Sequence, residues 1–227
     1  MGKNDNGNNG RTELVFVVDR SGSMGGLESD TIGGFNSMLS KQRTIAGECR
    51  VTTLLFDHRI ETLHNHLNIR EVNDLTSRDY WVRGSTALLD AIGLAIDRMI
   101  VTQRHTAAAY RAQHVLFVII ADGYENASRR YSLHQIKQMI TYERERYHWE
   151  FVFLGANIDA EQTAGDFGIS PRCATDFHAD GQGIKASFEA VACAATAVRG
   201  GADLDDLNAP DFLGGVRDDY RSRRRMK

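Results

Sequence analysis

The sequence predicts an α/β fold: a doubly wound, mostly parallel six-stranded sheet with one antiparallel edge strand and helices on both faces. Apolar runs at residues 14–18 and 115–121 alternate along the chain with amphipathic stretches. Runs without polar alternation are typical of parallel strands that are covered on both sides. Residues 50–56 and 60–67 are separated only by a tight turn, which predicts a hairpin and places the second strand antiparallel at an edge.

The elements follow from the spacing of apolar residues. The predicted strands are 14–18, 50–56, 60–67, 115–121, 150–154 and 173–177. Apolar residues at helical intervals predict helices at 27–46, 87–104, 132–146, 159–166 and 182–199. This regular pattern covers residues 12–200, which we expect to form one domain. Residues 1–11 are rich in Gly and Asn and predict a flexible leader, and the charged segment 201–227 predicts a disordered tail.

The charge composition gives no indication of a partner that is bound mainly through net charge. The chain has 227 residues and a formal net charge of −3, which indicates neither a general nucleic-acid binder nor a strongly acidic protein. Basic residues are concentrated at 217–227, the only hint of nucleic acid, and we favour a solvated tail there. The sequence does not indicate an oligomeric state.

Cysteine usage and hydropathy indicate a compartment. Cys49, Cys173 and Cys193 are odd in number and have no CxxC spacing, which predicts reduced, buried thiols and no disulfide framework. The N-terminus lacks an apolar signal region, and no apolar run reaches the ~18 residues of a membrane span. We therefore expect a cytoplasmic protein without a membrane partner.

Three polar clusters fall where predicted strands end or helices begin. Asp19, Ser21 and Ser23 follow the first strand, Thr86 ends a Gly-Ser-Thr loop before a helix, and Asp122 follows the most apolar strand. Ligands of doubly wound sheets bind at the carboxyl ends of the strands, so the fold would bring these loops together. Carboxylate and hydroxyl oxygens suit a hard divalent cation.

The three motifs together resemble the von Willebrand factor type A domain with its metal-ion-dependent adhesion site. The sequence LVFVVDRSGSM at 14–24 is similar to the family's opening strand and DxSxS loop, and GSTALLDAIG at 84–93 is similar to its second loop. The resemblance spans roughly residues 12–200. It suggests the prokaryotic intracellular members of the family, which are non-enzymatic adaptors.

The resemblance implies a role for each motif residue. Ser21 and Ser23 would bind Mg²⁺ directly, with Mn²⁺ and Ca²⁺ as alternatives, and Asp19 would hold it directly or through water. Thr86 would join when an acidic ligand binds, and Asp122 would act mainly through water. An Asp or Glu of a partner protein would complete the coordination.

Several neighbouring residues leave alternatives open. The family often has Thr where this chain has Ala121, which removes one hydroxyl but no ligand. Arg20 either attracts an acidic partner or points to solvent. Tyr80 and Trp81 either form a rim or pack below the loop. Residues that we expect to support loops, cap helices or line a solvated strand face are Ser85, Glu125, Asn126, Ser128, Ser132, His64 and His66.

The sequence therefore predicts a non-enzymatic module that binds an acidic residue of a partner through Mg²⁺, as an adaptor in a bacterial stress-response or resistance system. The alternative is a Mg²⁺-dependent phosphatase or phosphotransferase on a similar sheet, with Asp19 as nucleophile. That chemistry requires a cation near the phosphate, and none of the three motifs contains a lysine.

Overall fold

The computed structural model describes residues 10–224, which form a six-stranded sheet in the order β3-β2-β1-β4-β5-β6. All neighbouring strands are parallel except β2 and β3, which are antiparallel. The predicted fold class is therefore confirmed. The strands are β1 (Thr12–Asp19), β2 (Cys49–Phe56), β3 (Ile60–Asn68), β4 (His114–Asp122), β5 (Glu150–Ala156) and β6 (Ala174–Asp176).

Helices surround this sheet. They are α1 (Glu28–Arg43), α2 (Leu88–His105), α3 (Leu133–Tyr147), α4 (Ala160–Phe167), α5 (Gly181–Arg199) and α6 (Gly214–Arg224). Helices α1 and α5 pack against each other, whereas α2, α3 and α4 form a second contiguous group. Phe35 of α1 packs edge-on against Phe16 of β1 and Phe188 of α5, so the central strand and both helices share one core.

The central strands are buried because both of their faces are covered. Every residue of β1 is buried, including the polar Thr12 and Glu13 at its start. Aromatic side chains fill the neighbouring layer, where Phe117 stacks on Phe151 of the adjacent strand at 4.8 Å between ring centroids. This packing fixes the strand ends, from which the polar loops emerge.

The β2–β3 hairpin is present, but its alternation is broken by a β-bulge. The register shifts twice, opposite Thr52 and again between Thr53 and Leu54, and His66 adopts a left-handed backbone conformation with φ of 54°. Because a bulge disturbs the two-residue period, His64 and His66 do not share a solvated face as the sequence predicted. His64 is buried on Phe35, with Nδ1 at 3.0 Å from Oγ1 of Thr53.

The C-terminal segment differs from the expected disordered tail. Residues 214–224 form α6, which packs against α5 and β6. Leu213 and Val216 are buried, and Arg217 donates to the carbonyl oxygens of Pro171 and Ala174 at 3.0 and 3.1 Å. The apolar side chains at helical spacing outweigh the local charge density, so this segment folds onto the domain.

The N-terminal segment and one cysteine also differ from the sequence prediction. Residues 1–9 of the predicted leader lie outside the described residues, whereas Arg11 forms an ion pair with Glu48 at 2.8 Å. Cys49 and Cys173 are buried as predicted, but Cys193 is exposed on α5. Within residues 10–224, no helix is long and apolar enough to cross a membrane.

Candidate metal centre

The sequence motifs meet at the point where the strand order reverses. Strands β1 and β4 lie side by side although they are far apart in the chain, and they end at Asp19 and Asp122 respectively. Such a switch point leaves a crevice between the carboxyl ends of two adjacent strands. The first and third motifs therefore lie at the usual ligand position of a doubly wound sheet.

Asp19 is held by two backbone amides. Its Oδ1 accepts from the amide of Ser21 at 2.6 Å, and its Oδ2 accepts from the amide of Asp122 at 3.0 Å. The carboxylate thereby joins the first loop to the third. Burial raises the pKa of Asp19 to about 6, and these two hydrogen bonds act against that rise. Asp19 thus has a positioning function in addition to any contact with a cation.

The two serine hydroxyls lie next to each other. Oγ of Ser21 and Oγ of Ser23 are 2.9 Å apart, and Ser23 also donates to the backbone carbonyl of Asp122 at 2.5 Å. Ser21 is buried, whereas Ser23 is exposed. The structure therefore brings the hydroxyls of the first motif to the end of β4, with one of them open to an incoming group.

Asp122 has one occupied and one free oxygen. Its Oδ1 accepts from Nδ2 of Asn157 at 2.6 Å. Its Oδ2 is buried and has no hydrogen-bond partner among the described residues. Burial raises the pKa of this carboxyl, and the hydrogen bond from Asn157 lowers it. A buried carboxylate oxygen without a partner is costly unless a cation or an ordered water satisfies it.

The second loop is fastened to the other two by its backbone. Gly84, with φ of 68°, accepts through its carbonyl from the amide of Gly22 at 3.1 Å. The amide of Thr86 donates to Oδ1 of Asn126 at 2.9 Å, and the carbonyl of Thr86 accepts from the amide of Asn126. Thr86 is buried between these links. The loop is therefore positioned beside both other motifs by hydrogen bonds.

Neighbouring polar residues support the loops, partly as expected. Glu125 accepts from the amide of Leu89 at 2.9 Å and from the hydroxyl of Ser128 at 2.7 Å, so it caps the start of α2. Ser132 caps α3 in a capping box. Ser85 does not cap α2, because the residue at the N-cap is Ala87 and no side chain caps it from there.

Arg20 does not point to solvent, which was one of the two alternatives that the sequence left open. Its side chain is fully buried, and it donates to Asp57 at 3.0 Å and to Glu61 at 2.8 Å. Arg83 donates to the same oxygen of Asp57 at 2.8 Å. Burial would raise the pKa of Asp57, but the hydrogen bond from Arg83 and the two guanidinium charges lower it. Arg20 therefore joins the first loop to Asp57 and Glu61 and does not reach solvent.

Tyr80 packs below the loop and Trp81 lies at the surface, so each of the two alternatives holds for one residue. Tyr80 is buried, and its hydroxyl donates to the carbonyl of Asp19 at 2.6 Å. Trp81 is exposed, with the guanidinium of Arg83 4.2 Å from its ring centroid. The first residue thus supports the loop and the second lies on the surface.

The donor set fits a hard cation. The polar atoms that meet here are hydroxyl and carboxylate oxygens, which Mg²⁺, Mn²⁺ and Ca²⁺ prefer. Among the described residues nothing donates to Oδ2 of Asp122, so this buried oxygen could accept from a metal-bound water. A softer site of the transition-metal type is not formed: residues 10–224 contain no group of three or more His, Cys, Asp or Glu side chains that could hold a metal.

Three residues of this region were not singled out from the sequence. Asn157 follows β5 and adopts a left-handed conformation with φ of 54°, which Asn tolerates better than most residues. Its place after a buried strand was a usable signal, because the end of β5 lies beside the end of β4. Asp57 and Arg83 gave no local signal, since their partners are distant in the sequence.

The fold and the position of these loops define a class: an α/β domain in which three polar loops meet at the carboxyl ends of the strands. Solved structures identify the fold within that class. The chain has the fold of a von Willebrand factor type A domain, as the sequence resemblance predicted.

One similar structure is the von Willebrand factor domain of the pilus tip protein Mfa5 from Porphyromonas gingivalis, with a TM-score of 0.59 and 12% identity over 82% of this chain and 95% of that one. The pilus adhesin SpaC from Lactobacillus rhamnosus GG also has a TM-score of 0.59 and 12% identity, over 82% of this chain and 30% of that one.

Proximal thread matrix protein 1 from the mussel byssus has a TM-score of 0.55 and 13% identity over 82% of this chain. The match spans 46% of the mussel protein, about half of its length. Another structure of that protein is described as having a zinc-occupied MIDAS motif. Comparison of the sequence with protein-family models and with curated proteins gives no match.

Proposed function

We propose that this chain is a non-enzymatic binding module that holds Mg²⁺ and, through it, an acidic residue of a partner protein. Ser21 and Ser23 would bind the ion directly, and Asp122 would act mainly through water. Thr86 would join them when the partner binds, and Asp19 would hold the loops and contribute its charge. Mn²⁺ and Ca²⁺ are the alternative ions for an oxygen-only site.

The observation that carries this proposal is the free Oδ2 of Asp122. It is buried at the end of β4 and has no hydrogen-bond partner within residues 10–224, and the hydroxyl of Ser23 reaches the same residue's carbonyl. A bound cation would satisfy that oxygen. Because few of its protein ligands would be charged, the ion would remain electron-poor. An incoming carboxylate could then displace a water and form a strong ionic bond. The partner's carboxylate is the group that this arrangement would select.

The arrangement favours binding over phosphoryl transfer. Both oxygens of Asp19 accept backbone N–H groups, which restrains it as a nucleophile. Arg20, the cation next to it, is buried and bonded to Asp57 and Glu61, so it is not free to hold a phosphate. The proposed setting is that of a cytoplasmic adaptor in a bacterial stress-response or resistance system, as the family resemblance implies.

Two binding measurements test this function. Mg²⁺ affinity is measured by calorimetry, and partner capture by pull-down from native lysate with Mg²⁺ or with chelator. Ser21→Ala is the better variant, because Asp19→Ala would also remove two hydrogen bonds that hold the loops. We expect Ser21→Ala to lose Mg²⁺-dependent capture and to weaken Mg²⁺ binding at least ~10-fold.

The matched control is Ser85→Ala, the same change at an exposed serine of the second loop. It should bind Mg²⁺ and capture partners as the unmodified chain does. Thr86→Ala should weaken partner binding more than Mg²⁺ binding. Capture that persists in excess chelator, or that is equal for Ser21→Ala and Ser85→Ala, would contradict the proposed function.

A further inference from the structure

An exposed tryptophan lies on the segment that leads into the second loop of the candidate metal centre. Trp81 is 42% exposed, whereas the chain's other tryptophan, Trp149, is buried against Phe117. Exposed tryptophans are enriched among the few residues that contribute most of the binding energy at protein interfaces. Its exposure and its place in the chain make Trp81 a candidate for contact with whatever binds at the metal centre.

The segment that contains Trp81 is fastened to the DxSxS loop on both sides. Before it, the hydroxyl of Tyr80 donates to the carbonyl of Asp19 at 2.6 Å. After it, the amide of Arg83 donates to the carbonyl of Arg20 at 2.9 Å. The segment that carries the indole is therefore held beside the loop whose hydroxyls would bind the cation.

The ring is also held in place by cations. The guanidinium carbons of Arg83 and Arg20 lie 4.2 and 5.5 Å from the centroid of Trp81. Nε of Arg83 is bonded to Asp57, and its side chain remains 30% exposed. Such cation–π contacts reduce the mobility of an exposed ring, and a preordered anchor loses less entropy on binding.

We propose that Trp81 and Arg83 form a second contact surface for the partner segment, and that this surface selects an apolar or aromatic side chain next to the metal-binding carboxylate. This inference rests on the proposed function. The metal ion and the partly exposed cation of Arg83 favour an acidic segment by charge complementarity, and the indole face favours an apolar neighbour. The occupant is therefore an acidic peptide segment of another protein in which Asp or Glu is flanked by a large apolar residue.

A peptide array tests the selection directly. Its peptides consist of Gly and Ser with a central Asp, and each flanking position is varied through every amino acid. The labelled full chain is applied with Mg²⁺. We expect peptides with Phe, Tyr, Trp or Leu beside the Asp to bind at least ~10-fold more tightly than those with Ser. Trp81→Ala should bind all Asp peptides with the same weaker affinity, regardless of the flank.

The control is Tyr110→Ala, which removes another exposed ring that lies under a guanidinium, that of Arg11 at 5.0 Å. Tyr110 precedes the start of β4, whereas the candidate metal centre lies at the opposite, carboxyl ends of the strands. The variant should keep the flank preference. If Trp81→Ala keeps the same preference while binding still needs Mg²⁺ and Asp, the inference is wrong and the proposed function stands. Capture that needs neither overturns both.

A second measurement leaves Trp81 in place. In Trp149→Phe, Trp81 is the only indole, because the chain has two tryptophans. Titration with the tightest array peptide in Mg²⁺ should shift its fluorescence emission to shorter wavelength as the ring becomes buried. An unchanged emission at saturating peptide would overturn the inference even if Trp81→Ala failed to fold.

Discussion

At the scale of single residues, the buried Arg20 shows how the candidate site is stabilised. A buried ion pair stabilises the folded state only when its geometry and additional hydrogen bonds compensate for the hydration that both charges lose. Asp57 meets both Arg20 and Arg83, and the backbone amide of Arg59 donates to its other oxygen at 2.7 Å. These bonds join the residue that follows β2 to the first loop of the candidate site and to the segment before the second. The network is therefore a brace for the loops.

Glu13 is a second buried charge, at the opposite end of β1. Nδ1 of His66 lies 2.9 Å from its Oε1, and its Oε2 is buried without a partner among the described residues. Burial raises the pKa of Glu13 to about 8, although the charge of Arg50 lowers it and that of Glu48 adds to the rise. The folded protein thus retains a proton that the unfolded chain releases near pH 4.5.

This proton predicts a pH dependence of stability. Between pH 4.5 and 8 the native state binds more protons at Glu13 than the unfolded state, so the free energy of unfolding falls as pH rises. Glu13→Gln keeps the shape and removes the charge. Its stability relative to the unmodified chain should therefore increase from pH 5 to pH 8 by an amount on the order of a few kcal/mol, and then level off.

Denaturant unfolding at several pH values measures this difference. Burial also lowers the pKa of His66, which destabilises the folded state as pH falls below the ordinary histidine value. Because His66 lies 2.9 Å from Glu13, both proteins are compared in a His66→Asn background, since Asn tolerates the left-handed backbone there. Parallel stability curves from pH 5 to 8 would show that Glu13 does not retain its proton. The m-value, the slope of the unfolding free energy against denaturant concentration, must first be shown not to change with pH. A change would signal departure from two-state behaviour.

At the scale of elements, α1 and α5 are joined by a buried arginine. The guanidinium of Arg199, at the end of α5, donates to the carbonyl oxygens of Gln42 and Ile45 at 2.6 and 3.0 Å. Those carbonyls lie at the C-terminus of α1, where helical partners run out and a positive charge is favourable. One side chain thus caps one helix from another.

Arg199→Met tests this cap. Methionine fills similar space but removes the charged donor from both carbonyls, and the carbonyl of Gln42 keeps only its weaker backbone donors. We therefore expect the free energy of unfolding to fall by about 2–4 kcal/mol. Arg98→Met is the matched control, because Arg98 is exposed on α2, and it should change stability by less than ~0.5 kcal/mol. Equal losses in chemical denaturation would show that Arg199 contributes no more than a surface arginine.

The elements also show which features local sequence can reveal. Strand and helix types were predictable because their periods are local, and the apolar runs of β1 and β4 leave little choice. Helix α6 was missed because the charge of residues 217–224 obscured Leu213, Val216 and Tyr220, which have helical spacing. The bulge at His66 had no visible marker, since it depends on pairing with Thr52 across the hairpin.

At the scale of the whole molecule, the three polar motifs were predictable as a set, whereas their supports were not. Each motif follows or precedes a regular element, and the strand order brings those ends together. The supporting contacts join residues far apart in sequence: Tyr80 to Asp19, Arg83 to Asp57, and Asn157 to Asp122. A local pattern of apolar and polar residues does not indicate which distant residues will meet. These pairs are therefore visible only in the folded chain.

Because three separate loops converge only in the folded state, the proposed cation should stabilise the entire domain. A ligand that binds the native state alone stabilises it by about 2.7 kcal/mol at 100 times its dissociation constant. For a chain of this size that corresponds to a rise in melting temperature of about 5–10 °C. We expect Mg²⁺ to produce such a rise in scanning calorimetry, and chelator to reverse it.

The variant that tests this coupling is Asp122→Asn, which keeps the hydrogen-bond acceptor for Asn157 but removes the negative charge of the carboxylate, whose Oδ2 has no partner in the part of the chain that the structure describes. Without Mg²⁺ it should be at least as stable as the unmodified chain, because a buried carboxylate without a partner is costly. With Mg²⁺ its melting temperature should hardly rise. An equal rise in both proteins would place the stabilising ion elsewhere, whereas parallel titrations with Mn²⁺ and Ca²⁺ would identify the preferred cation.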